Sequence, residues 1–248
     1  MKTTVTMIMS AVAGLVLYAV LAQPNHPDAL TPGILLQAPL EWFVLVALLL
    51  VLPGGKLWAN AIRAALVLLL TLLSLLKLAD LASFTAFNRA FNPLMDLHLA
   101  EAAFRLAGGS VGWPAAYGLA LGVVLLPFLL AGLLWWATGR MMRLSLPKPI
   151  RAGAGLVGGT ALLLLIADIG AARQAWTLPF DLPGESFSTR LAMDRTTTFR
   201  ALYTDLAAFE AEASIDPFAG QSNLFTRLEG RDVFVIFVES YGQTAYRN

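Results

Sequence analysis

The chain has 248 residues, of which 58% are hydrophobic and only 13% charged, and its formal net charge is +1. Soluble domains carry about 25% charged residues, so this composition predicts an integral membrane protein. It excludes a nucleic-acid binder that works through a basic surface, since no basic patch with interleaved aromatics occurs. The absence of cysteine excludes disulfides, thiol nucleophiles and Cys-ligated zinc.

A bilayer-spanning helix needs about 20 mostly apolar residues. Taken in chain order, five stretches meet that need: Val5–Ala22, Ile34–Leu52, Ala59–Leu78, Pro114–Thr138 and Ala152–Ile169. The second is interrupted at its start by Pro39 and Glu41, which are expected at the interface beside Trp42. Pro53-Gly54-Gly55 ends it. Gly139 and Pro147-Lys148-Pro149 mark the break between the fourth and fifth. Val20-Leu21-Ala22 also resembles a signal-peptidase site, which leaves a cleaved leader as the alternative to a first span.

Lys and Arg placement sets orientation. Gln23 to Gly33 has neither residue, whereas the stretch from Arg140 to Arg151 holds Arg140, Arg143, Lys148 and Arg151. The N-terminus and the basic connections are therefore expected in the cytoplasm, and everything after Ile169 outside it, as in a multi-pass protein of the plasma (inner) membrane. Gly118-xxx-Gly122 and Gly155-xxx-Gly159 are expected to allow close packing within the bundle. The third connection collects Lys77, Asp80, Arg89, Asn92, Asp96, His98 and Glu101 among apolar residues. Those groups read either as interfacial charges or as part of a lipid-headgroup site. A short helix through Leu94, Leu97, Glu101 and Phe104 is expected there. Asp96 and His98, two apart, do not share a helix face, which argues against a metal pair.

After the last span, Gly170 to Ser188 reads as a polar linker and Thr196 to Ala213 as an amphipathic juxtamembrane helix. Asp216-Pro217 ends the helix, and Ser214 to Gly230 is a loop. Val233 to Val238 then forms an unbroken β-branched and aromatic run, the pattern of a strand buried on both faces of a parallel sheet. Glu239 closes it, and open α/β sheets place their chemistry at such strand ends. Ser240 and Thr244 read as turn or cap residues.

Arg231 to Gly242, with its apolar strand running into Glu239-Ser240, resembles the start of the catalytic domain in the membrane-anchored branch of the alkaline phosphatase superfamily. That branch holds sulfatase-like lipoteichoic-acid synthases and phosphoglycerol or phosphoethanolamine transferases. The resemblance implies that Glu239 ligates a catalytic divalent metal (Mn, Mg or Zn). It also implies a threonine nucleophile and further Asp and His ligands beyond Asn248, so this chain by itself is expected to be inactive and to bind no metal tightly. The expected organisation is an all-α membrane bundle of five transmembrane helices (1–169), then an external linker with its juxtamembrane helix (170–231). The first strand of a truncated external α/β domain follows (232–248). The expected function is the membrane anchor and N-terminal part of a metal-dependent enzyme acting on phosphate or sulfate esters, with the bilayer, a phospholipid headgroup or a glycan as partners. The competing reading is a non-enzymatic multi-span scaffold or lipid sensor. A small transporter is disfavoured, because no repeat occurs and no span carries a charge at its centre.

Overall fold

The structure is a computed structural model, and it describes residues 2–31, 33, 38–179, 182, 184–215, 218–220 and 226–236. The chain is an all-α membrane bundle. Its helices are α1 (Lys2–Ala22), α2 (Leu40–Val51), α3 (Leu57–Phe87), the one-turn α4 (Pro93–Asp96), α5 (Ala100–Val111), α6 (Trp113–Met142), α7 (Lys148–Ala172) and α8 (Phe187–Ala213). Four of them, α1, α3, α6 and α7, are long and apolar enough to cross a membrane.

The expected second span differs. The apolar helix α2 has 12 residues, a rise of about 18 Å at 1.5 Å per residue, against about 30 Å of hydrocarbon. Pro39 stands at its N-cap, where its missing N–H costs nothing; residues 34–37 lie outside the described set. The third span is longer than expected. Lys77 and Asp80 do not end α3, because both find buried partners, and the helix runs on to Phe87. There Asn88 takes a left-handed conformation (φ 52°) and donates its N–H to the Phe84 carbonyl at 3.0 Å, a common way to finish a helix. Gly139 does not break the fourth span either. It lies inside α6, and the interruption falls at residues 143–147.

Side-chain contacts fix the helix directions. Arg140 donates to the Thr6 carbonyl at 3.1 Å and Arg63 to Thr138 Oγ1 at 3.1 Å, which join the starts of α1 and α3 to the end of α6. Far along α3, Lys77 reaches the Leu21 carbonyl at the end of α1. A Cβ on Gly54, just after α2, would lie 3.5 Å from the Met142 carbonyl at the end of α6. Thus α1 and α3 run parallel, with α2 and α6 opposed to them. One end of the bundle, the basic end, gathers Lys56, Arg140, Arg143 and Lys148; the other is the far end.

Ala13, Leu17 and Leu21 of α1, Leu45 and Leu49 of α2, Val67 and Leu70 of α3, and Leu134, Ala137 and Met141 of α6 make the core. Trp42 crosses it, donating Nε1–H to the Gly14 carbonyl at 2.9 Å. Elsewhere α6 and α7 turn Leu119, Val123, Phe128, Leu156 and Leu163 outward, each more than half exposed, as lipid-facing surfaces do. The glycine motifs behave differently from expectation. A Cβ at Gly118, Gly122 or Gly159 would meet nothing within 4 Å. Close packing falls instead to Gly158, where a Cβ would overlap that of Ala47 on α2.

The described chain forms two compact units, 1–196 and 197–248. In the second, α8 completes its course, and Val233–Ile236 is exposed and belongs to no strand. The strand pattern there lacks a neighbouring ladder among the described residues, and an isolated strand has nowhere to place its N–H and C=O groups. Phe237, Val238 and Glu239 lie outside the described residues.

Candidate functional site

Six ionisable side chains are drawn together at the far end of the bundle: Glu41, Lys77, Asp80, Asp168, Arg190 and Arg195. Twenty residues separate Lys77 from Leu57 at the start of α3, which is about 30 Å along the helix, one hydrocarbon thickness. A bilayer whose near face met the start of α3 would therefore have its other face at these groups.

Lys77, Glu41 and Asp168 answer deficits left by helix termini. The last carbonyls of α1 have no intrahelical partner. Lys77, 0% exposed, donates to the Leu21 carbonyl at 2.8 Å and to Ser188 Oγ at 2.7 Å, and Ser188 Oγ donates to the same carbonyl at 3.0 Å. Beside them Ser74 Oγ donates to Gln23 Oε1 at 2.7 Å. The start of α8 has the opposite need, unpaired N–H groups and a positive dipole end. Glu41 accepts from the Thr189 N–H at 2.9 Å. Asp168 accepts from the Ser186 N–H at 2.9 Å, from Ser186 Oγ, and from Arg190 through Nε at 3.0 Å and Nη2. Asp80, also fully buried, accepts from Arg195 Nη2 at 2.6 Å, the Phe91 N–H at 3.0 Å and Asn25 Nδ2 at 3.3 Å.

Three carboxylates thus face three cations, contributed by α2, α3, α7 and α8. The set pins the first turns of α8 to the membrane helices. The linker expected over 170–188 is shorter as a result: α7 runs to Ala172 and α8 starts at Phe187, nine residues before Thr196. One oxygen, Glu41 Oε2, is buried without a hydrogen-bond partner among the described residues.

The polar residues of the third connection separate. Asp80 joins the collar. Arg89 forms a two-pronged ion pair with Asp96, whose carboxylate also accepts the Asn92 N–H at 2.7 Å. Asn92 Oδ1 caps α4 by accepting from Leu94 N at 3.0 Å. Glu101 and Arg105 pair at 2.6 Å on the exposed face of α5, and His98 is exposed in the 3₁₀ turn between α4 and α5. The expected short helix is therefore split into α4, a turn and α5. A cleft of about 590 Å³ opens between α3 and α5, lined by Ala79, Ser83, Phe87, Phe91, Asp96 and Ala103 among others. Ser83 Oγ is buried there without a partner among the described residues.

The hydrogen bonds from Arg89 hold the Asp96 carboxyl below the usual carboxylate range, helped by the Asn92 N–H and the Arg89 charge against the cost of burial. A depressed folded-state value means that the contribution is complete above the ordinary value of 3.8 and is lost as pH falls through the folded one. Hydrogen exchange at the Asp96 and Met95 amides, which donate to the Asn92 carbonyl, is expected to accelerate over that acid window in the native protein. In Asp96→Asn the acid step should vanish. A step of equal size in both proteins would show that another group controls this turn.

Among the described residues, no three of His, Asp or Glu converge as metal ligands. Glu239, the residue singled out from the sequence as a ligand, lies outside the described set, as do Ser240 and Thr244. Two collar serines meet ionisable partners, Ser188 Oγ with Lys77 Nζ at 2.7 Å and Ser186 Oγ with Asp168, and the Ser188 proton is given to the Leu21 carbonyl, so both contacts hold the start of α8. No protein-family model matches this chain, and neither does any curated protein or solved structure.

Proposed function

We propose that this chain is the membrane anchor and stem of a sulfatase-like, metal-dependent enzyme acting on phosphate or sulfate esters outside the cytoplasm. The observation that carries the anchor reading is the collar. Six charged groups at a membrane boundary are costly to assemble, and their common effect is to fix where and at what height α8 leaves the bundle. A stem needs that property when reacting groups must be held at a set distance from the lipid surface. The enzymatic part rests on the resemblance of Arg231–Gly242, in which Glu239 would ligate the metal. When bound, that metal would polarise the ester and lower the pKa of an attacking hydroxyl.

The basic end, with Lys56, Arg140, Arg143, Lys148 and Arg151, faces the cytoplasm in this reading. The chain crosses the membrane five times, α2 included, in the plasma (inner) membrane. The cleft between α3 and α5, where the Ser83 hydroxyl has no partner among the described residues, favours a second reading, a bundle that senses lipid without catalysis.

Two measurements separate the readings. A topology reporter fused after Asn248 should report the external side, and one inserted at Ser145 the cytoplasm; a cytoplasmic signal after Asn248 would refute the five-pass reading. Membranes bearing the product of the complete coding sequence should hydrolyse or transfer phosphate or sulfate esters, with activity lost to EDTA and to Glu239→Ala. No such activity would leave the lipid-sensing reading, and activity indifferent to both treatments would refute the role of Glu239.

A further inference from the structure

A second charged site lies at the basic end, unrelated to the collar and independent of the function proposed above. Arg63 sits six residues into α3, about 9 Å along the helix from Leu57, and is 9% exposed. Its Nε–H donates to Thr138 Oγ1 at 3.1 Å and Nη2 to the Trp135 carbonyl. The guanidinium carbon lies 3.8 Å from the Trp135 ring centroid. Thr138 gives its own proton to the Leu134 carbonyl at 2.7 Å, which leaves its oxygen free to accept from Arg63. Gly139 completes the seat, because a Cβ there would overlap the guanidinium.

What is missing is an anion. A guanidinium carries five N–H groups, and only two bonds to it occur among the described residues. None of the ion pairs among the described residues includes Arg63 or Arg143. The neighbouring charged group is Arg143, which lines the same space and carries the same sign. A buried cation beside a second cation is expensive without a counter-charge. The site is nonetheless built, and it borders a cavity of about 500 Å³ whose walls include Gly54, Gly55, Asn60, Trp135 and Arg143. Arg143 is anchored by Nε to the Gly139 carbonyl at 3.0 Å, which holds its guanidinium at the rim. The unpaired N–H groups at the start of α3 add a positive dipole end nearby.

We infer that this cavity binds a phosphate oxyanion, held between the Arg63 and Arg143 guanidiniums. Phosphate suits a pair of planar guanidinium forks better than a spherical halide does. The oxyanion can belong to a phospholipid of the leaflet at the basic end or to free phosphate.

The test is native mass spectrometry of the delipidated full chain in detergent, titrated separately with phosphatidylglycerol and with inorganic phosphate. Wild type should take up one equivalent of at least one probe. Uptake of phosphatidylglycerol alone assigns the lipid as the source, and competition by inorganic phosphate shows that the free ion is accepted too. Arg143→Gln, at an exposed position, should weaken binding about ten-fold, with melting unchanged. Arg63→Gln should weaken it further and Arg63→Lys less, because lysine keeps the charge but not the fork. Lys148→Gln, outside the cavity, should leave the affinity unchanged. The inference is overturned if wild type binds neither probe, if folded Arg143→Gln binds like wild type, or if Lys148→Gln weakens binding equally. Should Arg63→Gln fail to fold, Arg143→Gln decides.

Discussion

Replacing Asp80 with alanine is expected to loosen three parts of the molecule at once and to lower stability by about 3–5 kcal/mol, the usual cost of removing one partner from a buried ion pair. Asp80 is fully buried and receives hydrogen bonds from Arg195 on α8, the Phe91 N–H in the third connection and Asn25 in the first. The Arg195 side chain is only 14% exposed, so it cannot rehydrate without moving. Hydrogen exchange in detergent should show faster exchange at Asn25–Ala29, Asn88–Phe91 and Arg190–Arg195 together. Asp80→Ala combined with Arg195→Leu should recover part of the loss, because no charge is then left stranded. Destabilisation confined to one of the three segments would mean that Asp80 does not link them.

Asp168→Ala is expected to unfasten the start of α8, at a cost of about 3 kcal/mol. The lower end of the range applies because the Arg190 side chain, 34% exposed, can turn to water. The Ser186 N–H cannot, since Ser186 is 0% exposed, and an unsatisfied buried donor alone costs about 1–3 kcal/mol. Limited proteolysis should then cut between Gln174 and Ser186, and thermal unfolding should begin earlier. Asp168→Asn, which keeps an acceptor but loses the charge, should fall between. Wild-type melting and proteolysis in Asp168→Ala would show that Glu41, Lys77 and Asp80 hold α8 without it.

The apolar runs made the bundle legible in the sequence, because the need for about 20 apolar residues per crossing leaves few alternatives. The collar was less legible. Lys77 and Asp80 stood out by interrupting an apolar run, but Asp168 lies one residue from the end of the fifth expected span and reads as its polar terminus. Its partners, 18 and 22 residues later, fall in a segment whose Ser186-Phe187-Ser188-Thr189 looks like a linker. The available signal was the serine preceding Phe187, a helix-capping residue type. Glycine spacing misled for a related reason: Gly118-xxx-Gly122 shows that two helices could approach, not that a partner is there. Gly158 packs closely because Ala47 happens to face it. Nothing in the sequence marks Arg63 as buried, and only the placement of α6 shows that it is. The chemistry assigned to Glu239 rests on the sequence alone.

The brevity of α2 bears on the lipid around it. Its 12 residues rise about 18 Å, far less than the roughly 30 Å of hydrocarbon. Protein makes up part of the deficit at its upper end, where Pro39 pairs with Glu185 and the Leu40 N–H donates to the Glu185 carbonyl at 3.1 Å. Leu48 and Val51 remain exposed on the other side. In the five-pass reading proposed above, acyl chains there meet a hydrophobic mismatch, relieved by local thinning of the bilayer. The strain is one-sided, since α3 and α6 are long enough for any membrane. The protein is therefore expected to partition toward thinner membrane regions and to curve the sheet of lipid along the α2 flank.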